Sequence, residues 1–264
     1  MSKITFKINN KTIDDINNTD DLFNYTISSE LGDNLKFGVC MSELLEVELN
    51  NMDDRYKEIK MYTKTISILK DNVLQKKYYV DNVEKVDGKI KIKSYDKMKK
   101  LEKTFKMINT PITLTNLLKQ TLEQVDIETV DNISFVNQNY VCWDLSECKT
   151  KTCREVVSYI LELAGTNARI NSDEKFELVD FKTKEITVNV NNVLKLSTGD
   201  DYISVDNISY FRSDMEYLKT NSSRTNYIKL SSNNPLVKIC SGDRLQEILN
   251  KINVNYKYIP SECE

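Results

Sequence analysis

The stretch from Thr152 to Leu178 constrains the fold more tightly than any other part of the sequence. Cys153, Val156, Val157, Ile160 and Ala164 recur at helical spacing, so a helix here turns one apolar stripe toward a core. Thr152 precedes the stripe and can accept from the free N–H groups of the first turn, while Glu155 stands where a capping box needs it. Gly165 supplies the left-handed residue that ends the helix. Ala168 and Ile170 then alternate inward, Asn171 to Glu174 turn the chain, and Phe176 and Leu178 alternate back. Helix, stop and hairpin form one packing unit, and none of its residues points to catalysis.

The rest of the chain is large enough for one big domain or a few small ones, with 264 residues. Hydrophobic residues make up 40% and charged ones 29%, the balance of a folded globular protein rather than a disordered one. A net charge of −3 gives no electrostatic footprint for nucleic acid. No apolar run approaches the length of a membrane helix, and Met1 to Phe6 lacks the apolar centre of a signal peptide. The expectation is assembly in a bacterial cytoplasm, with no membrane insertion and no nucleic-acid specificity.

Histidine is absent. That removes the Ser-His-Asp triad, the Cys-His pair, the imidazole proton shuttle and His-ligated zinc. With six glycines and three prolines, many turns must fall to Asn and Asp, whose side chains bond the local backbone. The abundant Asn, Lys and Ile also fit an AT-rich coding sequence. Cys142, Cys148 and Cys153 cluster, but their spacing matches no zinc knuckle. Together with Cys40, Cys240 and Cys263 they read as free, mostly buried thiols of a reducing compartment.

Periodicity divides the chain into three. Up to residue 106 the period is two. Candidate strands cover Lys3 to Ile8, Leu22 to Ser29, Leu45 to Leu49, Lys60 to Leu69 and Tyr78 to Val86. Asp87-Gly88 signals a hairpin whose return strand turns Ile90 and Ile92 inward and Lys89, Lys91 and Lys93 outward. Asp96 to Lys106 reads as a short helix with Met98, Leu101 and Phe105 inward. Residues 107–181 change period beyond Pro111: Leu114, Leu117, Leu118, Thr121 and Val125 share a helical face capped by Thr113, with Asn116 at the capping-box position. Asn132 to Trp143 is extended before the helix–hairpin unit, and Trp143 reads as a core anchor. Residues 182–264 return to strands at Glu185 to Val190, Leu194 to Ser197, Tyr202 to Phe211 and Asn226 to Leu230. Asn233-Asn234-Pro235 then turns the chain into a helix from Arg244 to Ile252 capped by Asp243, and Tyr256 onward begins another strand.

Candidate chemical groups are sparse. Glu43, Glu46 and Glu48 stand close in sequence, as do Asp53 and Asp54, and Asp200 and Asp201. Paired carboxylates can serve acid–base chemistry or bind calcium, but the strand pattern places Glu46 and Glu48 on a solvated face and the Asp pairs in turns. The run Lys97, Lys99, Lys100, Lys103 and Lys106 reads as a solvated helix face or one that meets a partner protein. No catalytic, cofactor-binding or metal-ligating residue is assigned, and no cofactor is expected.

Three segments together resemble the hub proteins of phage tail baseplates, shared by contractile phages, siphophage tail tips and phage-derived bacteriocins. The first is Phe37-Gly38-Val39-Cys40-Met41-Ser42-Glu43 with Leu45 to Leu49. The second is Tyr78-Tyr79-Val80-Asp81-Asn82-Val83 followed by Lys91 to Glu102. The third is Arg154-Glu155-Val156 leading through Tyr159 to Gly165 and on to Ala168-Arg169-Ile170. The resemblance covers residues 35–180 well and the remainder loosely. It implies an α+β, β-rich fold with two tail-tube-like antiparallel β-barrels, 1–106 and 182–264, flanking an inserted α+β module, 107–181. It also implies a structural, non-enzymatic homotrimer that adapts a sixfold tail tube to a threefold spike. The implied partners are the tail tube protein, the tape-measure protein, the spike or tip protein and other baseplate subunits of a virion or phage-tail-like particle. Many such hubs continue past the position of Ile259 to Glu264 into further segments, so the second barrel is expected to be completed by another chain or by further residues. Two other classes compete: a cell-wall-degrading tail enzyme using carboxylates, and a β-rich adhesin or carbohydrate-binding module drawing on the 14 tyrosines.

Overall fold

The computed structural model of the protein describes residues 4–8, 11–13, 22–29, 36–52, 65–179, 202–203, 207–212, 215–218, 227–230, 233–255 and 259–260. Its first part is a seven-stranded antiparallel sheet. The strands are β1 (Ile4–Ile8), β2 (Lys11–Ile13), β3 (Leu22–Ser29), β4 (Glu43–Asn50), β5 (Thr65–Lys70), β6 (Val73–Val86) and β7 (Lys89–Tyr95). They are ordered β2-β1-β5-β6-β7-β4-β3. Asp87 and Gly88 form the foreseen turn, both with positive φ, and Asp71 and Asn72 form an equivalent one between β5 and β6. Two left-handed residues twist a two-residue loop in the sense that matches the flanking strands.

The sheet covers its own apolar face. Phe6, Ile8, Leu45, Val47, Leu49, Ile66, Tyr78, Ile90 and Ile92 are buried in a cluster made of sheet residues only. The rings of Phe6 on β1 and Tyr25 on β3 meet edge to face at 4.9 Å. Five strand spacings separate β1 from β3 along the sheet, about 24 Å if it were flat. The sheet therefore curls until its ends face each other across the interior. Among the described residues β2 and β3 do not pair, so no closed barrel forms.

The second part is α+β. It contains β8 (Ile112–Thr113), α1 (Leu114–Glu123), β9 (Val141–Cys142), α2 (Cys153–Ala164), β10 (Asn167–Ile170) and β11 (Phe176–Val179). The α2 unit matches its sequence signature. Thr152 and Glu155 form a reciprocal capping box, Gly165 sits at φ +65°, and β10 pairs with β11 through Ala168↔Leu178 and Ile170↔Phe176. Thr113 caps α1 by accepting from the Asn116 N–H.

Several local expectations give way to the structure. Residues 132–143 are turns and irregular chain apart from one short strand, and Asn132 and Asn137 take left-handed φ that breaks the extended run. Only Val141 and Cys142 form a strand. Cys142 takes the inward position, and Trp143, next along the chain, is 66% exposed rather than a core anchor. The Asp96 to Lys106 segment is a 3-10 helix over Lys97–Glu102, and Phe105 reaches the core from an extended stretch whose N–H donates to Lys151.

Beyond this come β12 (Tyr202–Ile203), β13 (Asn207–Arg212), β14 (Met215–Leu218), β15 (Tyr227–Leu230), α3 (Gly242–Asn255) and β16 (Ile259–Pro260). Strand β12 pairs antiparallel with β16, and β13 lies between β14 and β15, parallel to the latter. The expected strands at Glu185 to Val190 and Leu194 to Ser197 lie outside the described residues. Ser241, not Asp243, caps α3, its hydroxyl accepting from the Arg244 N–H. Leu245, Ile248, Leu249 and Ile252 form the foreseen stripe and join the core of α1 and α2. Asn137 fixes this docking by donating to the carbonyls of Leu163 and Ile248. The Tyr140 hydroxyl donates to Leu236.

Two predictions concern α2. Replacing Thr152 with Ala should cost about 1 kcal/mol, read by urea denaturation. The capping bonds hold the Glu155 carboxyl below its ordinary pKa of 4.5, chiefly through the Thr152 N–H. A lowered pKa stabilises the fold at neutral pH, and that stability is lost as the pH falls below 4.5. Glu155→Gln should therefore be less stable than the parent at pH 7, with the two stability curves converging in acid.

Candidate functional site

The residues that carried the sequence resemblance converge on one place, the seam between the curled sheet and the α+β part. Arg154, on the first turn of α2, reaches across it. Its Nη1 donates to the Cys40 carbonyl at 2.8 Å, its Nη2 to the Met98 carbonyl at 3.1 Å, and its Nε pairs with Glu102. The segment before β4 runs beside β10: the Gly38 N–H donates to Thr166, the Ala168 N–H to Val39 and the Met41 N–H to Ala168. The Asn167 side chain accepts from the Val39 N–H and donates to the Lys36 carbonyl.

Gly38 is required here. Its φ is +87°, and a Cβ would sit 2.8 Å from the Ser158 carbonyl oxygen and 2.7 Å from Glu162 Cγ on α2. No side chain fits between the loop and the helix.

A polar cluster lies under the same seam. The Lys76 ammonium pairs with Glu43 at 2.7 Å and donates to the Ile170 carbonyl at 3.2 Å, so β6 is tied to β10. Tyr78 donates its hydroxyl to Glu43, and Tyr79 donates to Glu174 of the hairpin turn. Asp96, 1% exposed, accepts from the N–H groups of Glu43 and Met98 and from the Ser42 hydroxyl. Burial pushes its carboxyl above the ordinary range, against the pull of those bonds and of Lys76. Glu43 thus belongs to an internal junction rather than to a solvated face.

Glu46 and Glu48 do face outward, paired with Lys93 at 3.3 Å and Lys89 at 2.5 Å. With Asn24, Thr26, Glu84 and Lys91 they line a shallow groove of about 210 Å³ across β3, β4, β7 and β6. Carboxylates and ammoniums alternate there between neighbouring strands, a face built for water or a polar partner. Asp53, Asp54, Asp200 and Asp201 lie outside the described residues.

The lysine run is largely engaged within the chain. Lys99 pairs with Asp81 and lies over the Tyr95 ring, Lys100 lies over Tyr79, and Lys103 donates to the Gln124 carbonyl. None of the five described cysteines is in a disulfide. Burial raises Cys40 and Cys148 to about 11 and Cys142 to about 12, so these stay protonated and unreactive at neutral pH. Among the described residues no group of His, Cys, Asp or Glu is placed to hold a metal, and no helix is long and apolar enough to cross a membrane.

No protein-family model and no curated protein matches the sequence. Solved structures do match by shape. The 43 kDa tail protein of prophage MuSo2 from Shewanella oneidensis superposes with a TM-score of 0.54 at 11% identity, over 87% of this chain and 70% of that one. A tail protein from Neisseria meningitidis MC58 gives 0.51 at 10% identity, over 93% and 74%. The fold is shared with tail proteins. At such identities the shared property is the backbone arrangement, and the seam is where this chain's own side chains hold it.

Two substitutions test the seam by thermal and urea denaturation. Arg154→Ala removes the guanidinium donor from two part-buried carbonyls and from Glu102 and should cost about 3 kcal/mol, with Arg154→Lys restoring only part because an ammonium cannot span three acceptors in one plane. Gly38→Ala should cost about 2 kcal/mol or more, from the left-handed φ and the contact with Ser158.

Proposed function

We propose that this protein is a structural component of a phage tail or phage-tail-like particle, a baseplate hub without enzymatic activity. The observation that carries the proposal is the backbone likeness to two tail proteins over 87% and 93% of the chain. The sequence resemblance to baseplate hubs across residues 35–180 supports the same reading. Within it, the curled but unclosed sheet in 1–106 would take the place of the first tube-like barrel, 107–181 would be the insert, and 182–264 would supply the second barrel. Three copies would present six barrel units around one axis and join a sixfold tail tube to a threefold spike. Its partners would be the tail tube, tape-measure, spike or tip proteins and neighbouring baseplate subunits, met during assembly in the bacterial cytoplasm.

Physical chemistry is consistent with such a role. A sheet whose apolar face is consumed internally pairs Glu with Lys along the outer face of β4 and β7, which offers charge there to water or a polar partner. A closed ring of identical chains uses heterologous contacts, which need neither twofold symmetry nor a catalytic centre.

The test is the mass of the purified protein by light scattering, with negative-stain imaging. The expected particle has three times the 30.7 kDa chain mass and a ring with a central channel. A species that stays at the chain mass at tens of micromolar, alone and mixed with tail tube protein, contradicts the hub.

A further inference from the structure

The two parts of the protein keep separate apolar cores. Among the described residues, the buried cluster inside the curled sheet contains sheet residues only. The cluster of α1, α2 and α3 takes in Phe37, Cys40, Met98 and Leu101, but no residue of β1 to β7. Residues 36–42 and the 3-10 helix therefore belong with the α+β part, and the boundary falls where β4 begins and β7 ends.

That boundary follows a line of strand ends. Ser29, the last residue of β3, pairs with Glu43, the first of β4, and Leu44 pairs with Tyr95, the last of β7. The chain thus leaves the sheet at the ends of neighbouring strands, although residues 30–35 lie outside the described ones. Asp96 pins the two described passages side by side. Its carboxylate accepts from the Ser42 hydroxyl and the Glu43 N–H, and its own N–H donates to the Glu43 carbonyl. Arg154 fixes their roots by holding Cys40 and Met98.

Away from this line the parts meet through an overhang. Tyr79 pairs with Tyr95, so residues 73–78 of β6 run on past the end of β7. There Lys76 donates to the Ile170 carbonyl, Tyr79 donates to Glu174 at 2.8 Å, and Lys77 stands 3.8 Å from the same carboxylate. Lys99 and Lys100 of the 3-10 helix reach Asp81 and the Tyr79 ring. These ties are long polar side chains, with no shared buried apolar cluster behind them.

We propose that the line of strand ends is a hinge, and that the contact of Lys77 and Tyr79 with Glu174 is the latch that keeps it closed. Units with separate cores and a polar junction move relative to one another unless a large apolar interface prevents it. A hinge needs only a few residues at element ends to absorb the rotation, here Ser42–Glu43 and Tyr95–Asp96. Closed, the two parts are one body. Unlatched, the sheet swings on its two pinned passages while both cores stay intact. The inference stands apart from the proposed role in a tail particle.

The sole tryptophan, Trp143, is exposed on the α+β part and serves as an energy donor. A coumarin amino acid in place of Lys85, exposed near the far end of β6, is the acceptor. The decay of Trp143 emission then gives the distribution of distances between the parts. The parent chain should give one narrow distribution. Tyr79→Phe combined with Glu174→Asn should raise a second, separate population about tenfold, the effect of losing one charge-assisted hydrogen bond. Asn is too short to reach β6 and tolerates the left-handed φ of +59° at Glu174. Lys77→Glu should also open the latch, and adding Glu174→Lys should close it again. Circular dichroism and the thermal midpoint should stay close to the parent's. A distribution that stays narrow in every latch variant overturns the hinge. A parent distribution as broad as the variants' overturns the latch. Broadening that appears only together with lost helix signal means local unfolding, and it also overturns the proposal.

Discussion

The Arg154 guanidinium joins three stretches of chain that are far apart in sequence. It sits on α2, holds the Cys40 carbonyl ahead of β4, and holds Met98 and Glu102 beyond β7. Both neighbouring strands of the sheet therefore end on one planar cation. Without it, the Cys40 and Met98 carbonyls would lose the charged donor that meets them at a part-buried seam. The parallel run of residues 38–41 beside β10 and the Lys76 link to Ile170 depend on that registration. The curled sheet and the helix–hairpin unit are consequently held as one body.

Curling explains how the sheet is stable without a helix on its apolar face. An open seven-stranded sheet must cover one side, and here the twist brings β1 opposite β3 so that Phe6 meets Tyr25. The outer face is then free to carry alternating Glu and Lys, as it does along β4 and β7. Meanwhile α3 returns from the far end of the chain to pack on α2, where Ile252 lies against Gly165. A methyl group at Gly165 would strike Ile252, so the residue that ends the helix also makes room for the last one.

Features set by local chemistry were legible in the sequence. The α2 capping box, the Asp87-Gly88 turn and the alternation of Ile90 and Ile92 with three lysines each depend on residues a few positions apart. What required the fold was long-range. Gly38 looks like an ordinary loop glycine until α2 lies against it. Glu43 shares its strand with the outward Glu46 and Glu48, but it has the parity of the inward Leu45, Val47 and Leu49, and only the fold shows that Lys76 and Tyr78 meet it there. Trp143 misled for a simple reason: its size argues for burial, while the two-residue strand before it spends its inward position on Cys142. The seam could be sensed only through Arg154, the one cation of α2, and two of its three acceptors are backbone carbonyls that no sequence displays.

The seam that joins sheet and module, a charge-alternating outer face and a backbone shared with tail proteins are the features on which the proposed structural role rests. Its place in a particle is the central claim, and labelling it there is the most direct test. Gold-tagged antibody against this chain, applied to intact particles and imaged by electron cryomicroscopy, should mark the end of the tail tube on its axis, with density for three copies. Label confined to the capsid, spread along the tube or absent from purified particles would contradict it.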